Sequence, residues 1–236
     1  MQNICAFLRL YLDFFCYFCT RKKIMVELSI SKDILVTLPR VLFDGKIIIV
    51  DNHIKSNIAI SKLRKETLLG IDTETRPSFR RGVIHKVALL QISTFNECYL
   101  FRTNKIGMPQ GVLQLLQDER VTKIGLSLRD DMLKLGEICN INPKGLIDLQ
   151  DFVKKYGIID NSLQRIYGIV FNRYISKSQQ LTNWEAPQLT DAQCAYAATD
   201  AWACLKLYDE LINNRFDYNN SRYIVEPHSE TIEHED

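Results

Sequence analysis

The stretch Leu68-Leu-Gly-Ile-Asp-Thr-Glu74 constrains this chain more than any other. Its apolar start reads as a buried strand, and that strand ends in an acid, Asp72, with a second, Glu74, two residues on. Side chains alternate along a strand, so both carboxylates point to the same side. Two like charges side by side at a strand end repel each other unless something cationic lies between them, and a divalent metal is the natural occupant.

The surrounding pattern places this strand in a mixed α/β fold. A short strand is predicted near Val26 to Ile30, a helix over Lys32 to Leu38, a strand at Gly45 to Val50 and a helix around Ile58 to Glu66. Val87 to Ile92 and Cys98 to Phe101 are strands separated by polar turn residues. With Leu68 to Asp72 they form a sequential antiparallel meander. Beyond it the period becomes helical: Gly111 to Gln117, Asp130 to Ile138, Asp148 to Tyr156, Ser162 to Phe171 and Thr190 to Asn213, with one further strand at Lys123 to Leu126. Strands first and helices after, with one late strand inserted, give a mixed sheet, an antiparallel meander plus parallel strands, packed by α-helices.

The 236 residues suit one such domain, expected over 25–215 with its motif-bearing core at 58–213. Residues 1–24 are apolar but carry Arg9 and Asp13, and cations follow rather than precede the apolar stretch. Neither a membrane span nor a secretory signal fits that order. The expectation is an upstream extension with translation starting at Met25 and no stable membrane association. Residues 216–236 read as an acidic, disordered tail. Seven cysteines at irregular spacing, one C-x-x-C pair at Cys16 and Cys19 among them, indicate reduced thiols and a cytoplasmic protein. The net charge of +2 conceals an uneven distribution, because the last eleven residues carry five acids. The window Arg76 to Lys86 holds Arg76, Arg80, Arg81 and Lys86 and no acid.

Two more acids stand in chemically suggestive settings. Asp131, with Asp130 beside it as a potential cap, opens the helix after the Lys123 to Leu126 strand. Asp200 lies inside the helix YAATDAWACLKLYDEL, where an unpaired acid is costly, and Tyr196 lies one turn earlier on the same helical face. Singly, each is an ordinary turn former, cap or hydrogen-bonded pair; together and in this order they are far more specific.

Gly70-Ile-Asp-Thr-Glu74 with Lys86-Val-Ala-Leu-Leu-Gln-Ile92, Gly125-Leu-Ser-Leu-Arg-Asp-Asp131 and Tyr196-Ala-Ala-Thr-Asp200 resemble the three motifs of the DEDD 3′-5′ exonucleases. The nearest likeness is to the RNase D and Werner-like exonuclease domains of the ribonuclease H-like superfamily. Tyr196 marks the DEDDy branch, and Thr182-Asn-Trp184 followed by Leu189-Thr-Asp191 resembles the connection before the last motif. Asp72, Glu74, Asp131 and Asp200 are then implied as metal ligands, and Tyr196 as the residue that orients the attacking water. Asp131 keeps the family's spacing from Gly125 and to Lys134 and Leu135, with Asp130 the fallback. Two positions depart from the pattern: Thr75 stands where Werner-like members often carry a bulky aromatic, and Gln180 replaces an expected cation.

Phosphodiester hydrolysis needs a hydroxide at neutral pH, neutralisation of the transition state and stabilisation of the leaving oxygen. Two divalent ions about 3.5 to 4 Å apart supply all three. An all-carboxylate donor set suits Mg²⁺ or Mn²⁺ better than zinc. The activity that the resemblance implies is removal of nucleoside 5′-monophosphates from the 3′ end of DNA or RNA. Arg76, Arg80, Arg81, His85 and Lys86 are expected to touch the incoming backbone, and Phe79 to offer a stacking face. A catalytically inactive nucleic-acid-binding scaffold on the same fold and a phosphoesterase for short oligonucleotides are the competing readings. A pure binding module has no reason to tolerate four mutually repelling acids.

Overall fold

The acid-bearing strand runs further than its apolar half predicts. In the computed structural model, which describes residues 26–79, 82 and 85–225, strand β3 spans Leu68–Thr75, so Asp72 and Glu74 are strand residues rather than turn formers. The other strands are β1 (Glu27–Leu28), β2 (Lys46–Val50), β4 (Val87–Ser93), β5 (Glu97–Phe101), β6 (Thr122–Gly125), β7 (Leu146–Asp148) and β8 (Ile224–Val225). β3, β4 and β5 form the antiparallel meander expected. β2 adds parallel to β5, β6 parallel to β3 and β7 parallel to β6, giving the order β2-β5-β4-β3-β6-β7. The mixed α/β architecture is therefore as read from the sequence.

Eight α-helices accompany the strands among the described residues: α1 (Lys32–Leu35), α2 (His53–Leu63), α3 (Thr103–Ile106), α4 (Gln110–Gln117), α5 (Leu128–Gly136), α6 (Leu149–Phe152), α7 (Leu163–Phe171) and α8 (Asp191–Ile212). Helix α2 starts a turn and more before the predicted Ile58, because the Asn52 side chain accepts from Lys55 N and caps it. Helix α8 opens on a capping box, with Thr190 and Gln193 satisfying each other's backbone donors.

The sheet separates two apolar layers. On one face Leu69, Ile71, Leu90 and Ile92 pack against Ile60 and Leu63 of α2, Leu115 and Leu116 of α4, and Leu128 and Leu135 of α5. On the other, Leu89 and Leu100 meet Ala197 and Ala198 of α8 together with the fully buried Trp184. A third cluster joins α7, the C-terminal half of α8 and the segment around β1.

Three sequence expectations change. β7 adds a strand that the sequence pattern does not predict; only three residues long, it lacks the run that makes a strand visible. The predicted helix from Asp148 then shortens to α6 and a 3₁₀ turn over Val153–Tyr156. The domain also continues past Arg215: Phe216, Tyr218 and Tyr223 pack into the third cluster, and β8 pairs with β1. Those aromatics tie residues 216–225 to the folded domain, with Tyr223 buried, whereas the acids that led to the tail reading begin at Glu226. The N-terminal stretch 1–24 and the acidic residues 226–236 lie outside the described residues.

Candidate active site

The site is made where α8 crosses β3. Gly70 presents no side chain to the helix: a Cβ there would stand 1.9 Å from the Ala201 carbonyl oxygen. This close approach brings Asp200 down onto the strand end, and carboxylate oxygens of Asp72, Glu74 and Asp200 lie within 4.8 Å of one another. Glu74 and Asp200 are buried and Asp72 partly so. Tyr196, one helical turn from Asp200 and hydrogen-bonded to it, is buried with its ring centroid 6.0 Å from that of Trp184. The buried Trp184 thus backs the tyrosine, giving the Thr182-Asn-Trp184 segment a packing role.

Asp131 arrives from the opposite layer. The chain leaves β6, turns at Ser127 in a left-handed conformation (φ 57°, ψ 36°) and enters α5 at Leu128. The helix therefore begins three residues before the predicted Asp131, so neither Asp130 nor Asp131 is its cap. That work falls to Asp148 at the end of β7, whose carboxylate accepts from Ser127 N at 3.1 Å and Leu128 N at 2.8 Å. With this register Asp131 is buried and accepts from Thr73 Oγ1 at 2.8 Å, while Asp130 is exposed. The tight carboxylate trio does not include Asp131, but its charge acts on Asp72 and Glu74.

The electrostatics follow from four acids sharing a poorly hydrated volume. Burial, reinforced by Asp200 and Asp131, pushes Glu74 up to about 9. Burial together with Asp200, Asp131 and Glu74 holds Asp72 well above the usual carboxylate range. Burial raises Asp200 to about 7 and Asp131 to about 6, each opposed by a hydrogen bond, from Tyr196 and Thr73 respectively. The Tyr196 phenol is pushed upward by burial and the neighbouring carboxylates, so it stays protonated and can donate but not act as a base at neutral pH. Such a set is unfavourable when ionised without cations. All its donors are oxygens, so the residues present fit hard divalent ions.

Asp72, Glu74 and Asp200 line a cleft of about 460 Å³, with Lys134 and Lys177 also in its lining. Sequence reading missed both lysines, since nothing in their spacing separates them from other surface lysines. They are the cations that draw the carboxylates back down: Lys134 acts on Glu74 and Asp131, and Lys177 on Asp200. Thr73 and Asp148 were missed for the same reason, their partners being remote in sequence. The two departures from the motif pattern, Thr75 and Gln180, also line the cleft.

Of the predicted nucleic-acid contacts, Arg76 and His85 converge on one acid, Glu185, at 3.3 and 3.5 Å. Lys86 and Phe79 are exposed, Phe79 at 84%. Arg80 and Arg81 lie outside the described residues.

The family model described as 3′-5′ exonuclease matches residues 47–214. This chain belongs to the 3′-5′ exonuclease family. A 3′-5′ exonuclease of Arabidopsis thaliana is 31% identical over 186 residues, covering 73% of this chain and 63% of the relative. The bifunctional 3′-5′ exonuclease/ATP-dependent helicase WRN of Mus musculus is 28% identical over 204 residues, which is 82% of this chain and 14% of the mouse protein. This exonuclease-family chain thus spans less than two thirds of the length of either relative. Among solved structures, Trypanosoma brucei RNase D in complex with RNA U12 superposes with a TM-score of 0.65 at 21% identity, over 73% of this chain and 64% of that one. The shared fold is that of RNase D-like exonuclease domains, and Tyr196 is consistent with the tyrosine-bearing branch.

Proposed function

We propose that this domain is a metal-dependent 3′-5′ exonuclease that shortens DNA or RNA one nucleotide at a time, releasing nucleoside 5′-monophosphates. The observation that carries the reading is the convergence of Asp72, Glu74 and Asp200 in the cleft lining, with Tyr196 beside them. Asp72, Glu74, Asp131 and Asp200 would hold two divalent ions, Mg²⁺ or Mn²⁺. When bound, such ions lower the pKa of a coordinated water and neutralise charge on the phosphoryl group in flight.

The chain's own residues do the rest. The protonated Tyr196 phenol gives its one hydrogen to the Asp200 carboxylate, and its oxygen, left free to accept, would orient a water beside Asp200. Thr73 holds the Asp131 carboxylate at one oxygen, leaving the other for a ligand. Lys134 and Lys177 offset negative charge in the cleft as a phosphodiester enters, and Arg76, Arg80, Arg81, His85 and Lys86 receive the backbone upstream of the terminal phosphate. The RNA in the T. brucei RNase D complex supports a nucleic-acid substrate. No helix among the described residues is long and apolar enough to cross a membrane.

The test uses 5′-labelled DNA and RNA strands with Mg²⁺ or Mn²⁺, beside Asp72→Ala and chelator controls. A ladder receding from the 3′ end, lost in both controls, is the expected result. Intact strands with measurable binding would instead establish a scaffold.

A further inference from the structure

We propose that Gln91 is a positioning residue for Asp72, donating from its side-chain amide to the carboxylate oxygen that faces away from the bound cation; the inference rests on the exonuclease reading. Gln91 lies on β4 directly opposite Asp72 on β3, and opposite Leu100 of β5 on its other side. Directly paired residues leave a sheet on the same face with Cβ atoms about 4.5–5.5 Å apart. Gln91 is 0% exposed, and neither its Oε1 nor its Nε2 has a hydrogen-bond partner among the described residues.

Most of its neighbours on that face are apolar or weakly polar, Cys98 and Cys194 among them. Leu89, Leu100, Ala197 and Ala198 present only hydrocarbon. The Ser93 hydroxyl, two residues along the strand, already donates to the Thr94 carbonyl at 2.8 Å. Asp72, directly paired with it across the strands, is the charged acceptor on the adjacent strand. An amide sealed between a strand and a helix of alanines is costly where a leucine or methionine would simply fill the space. The cost is offset when the Asp72 carboxylate is held ionised by a cation and needs its outer oxygen fixed. Outer partners of this kind orient ligands at metal sites in general.

The test is Mn²⁺ titration calorimetry on the metal-stripped full chain, comparing wild type, Gln91→Met, Gln91→Leu and Asp72→Asn. Both Gln91 variants are expected to bind Mn²⁺ about 10–100-fold more weakly. In chelator they should melt at or above the wild-type temperature. Their kcat should fall at low Mn²⁺ and recover as Mn²⁺ is raised, with KM for the oligonucleotide unchanged. In ¹⁵N-labelled wild type, saturating Mg²⁺ should move the Gln91 side-chain amide resonances, a readout that needs no variant to fold. Wild-type binding with variant affinities within twofold of it, or unmoved Gln91 resonances at Mg²⁺ saturation, overturns this proposal alone. A wild-type protein that takes up neither ion overturns the exonuclease reading with it.

Discussion

Gly70 lies directly beneath the Ala201 carbonyl, with no room between them for a methyl group. That relationship sets the height of α8 above the sheet, and so the distance of Asp200 from Asp72 and Glu74. Gly70→Ala must lift the helix or bend the strand. Overpacking of a tight contact costs about 1–3 kcal/mol. Urea denaturation should show a loss of that size, and exonuclease activity should fall much further than stability because the carboxylates separate. Retained activity in a destabilised Gly70→Ala protein would mean that helix height is not what assembles the site.

Asp148 acts at one remove. Its carboxylate caps α5 through Ser127 N and Leu128 N and also accepts from Gln150 N at 3.0 Å. It thereby steadies the left-handed Ser127 turn that delivers Asp131. Asp148→Ala is expected to cost about 1–2 kcal/mol as a lost cap and to weaken catalysis through a misplaced Asp131. Ser127→Gly relaxes the same turn without removing the cap. It should be near neutral in a thermal melt, which separates backbone strain from capping.

The acids were legible in the sequence because their signal is local: a strand end, a helix face, a one-turn spacing. Asp72, Glu74, Tyr196 and Asp200 could be placed on elements, and the meander could be paired, from periodicity and turns alone. What escaped was whatever depends on residues far apart in the chain. Asp148 was read as the start of a helix, which it does cap through Gln150 N, but nothing local showed that it also caps one twenty residues earlier. Thr73, sitting between two conspicuous acids, gave no sign of reaching Asp131. Tyr223 fell within the expected tail 216–236, yet it packs into the core cluster that includes β1. The motif spacing already favoured Asp131 over Asp130, and the register of α5 agrees, burying Asp131 and leaving Asp130 exposed.

Metal-free protein should lose stability as pH rises. Glu74, Asp200 and Asp131 have folded pKa values near 9, 7 and 6, and Asp72 is raised as well. All lie above those of the unfolded chain, so the native state binds more protons and the slope of stability with pH is negative from about pH 4 to 9. In chelator the melting temperature is expected to fall across that window and to flatten in Asp200→Asn. Added Mg²⁺ should restore more stability at pH 8.5 than at pH 5.5, since ions bind the deprotonated carboxylates. A chelator profile that is flat or rises toward pH 9 would show that the acids are not mutually destabilised.

Glu185 restrains the basic window. It pairs with Arg76 at 3.3 Å and His85 at 3.5 Å. Its own segment is clamped from the far side by Arg102, which donates to the Ala186 carbonyl at 2.5 Å, and by Lys105, which donates to Pro187 O at 2.6 Å. A phosphate approaching Arg76 must therefore displace a carboxylate that is held in place. Exposed pairs of this kind are worth about 0–1 kcal/mol, so Glu185→Gln should tighten binding of a single-stranded oligonucleotide no more than about fivefold. The gain should shrink as salt rises, because it is electrostatic. Fluorescence anisotropy at two salt concentrations, with chelator present to block cleavage, measures both quantities. Unchanged or weaker binding by Glu185→Gln would show that Arg76 and His85 do not meet the substrate.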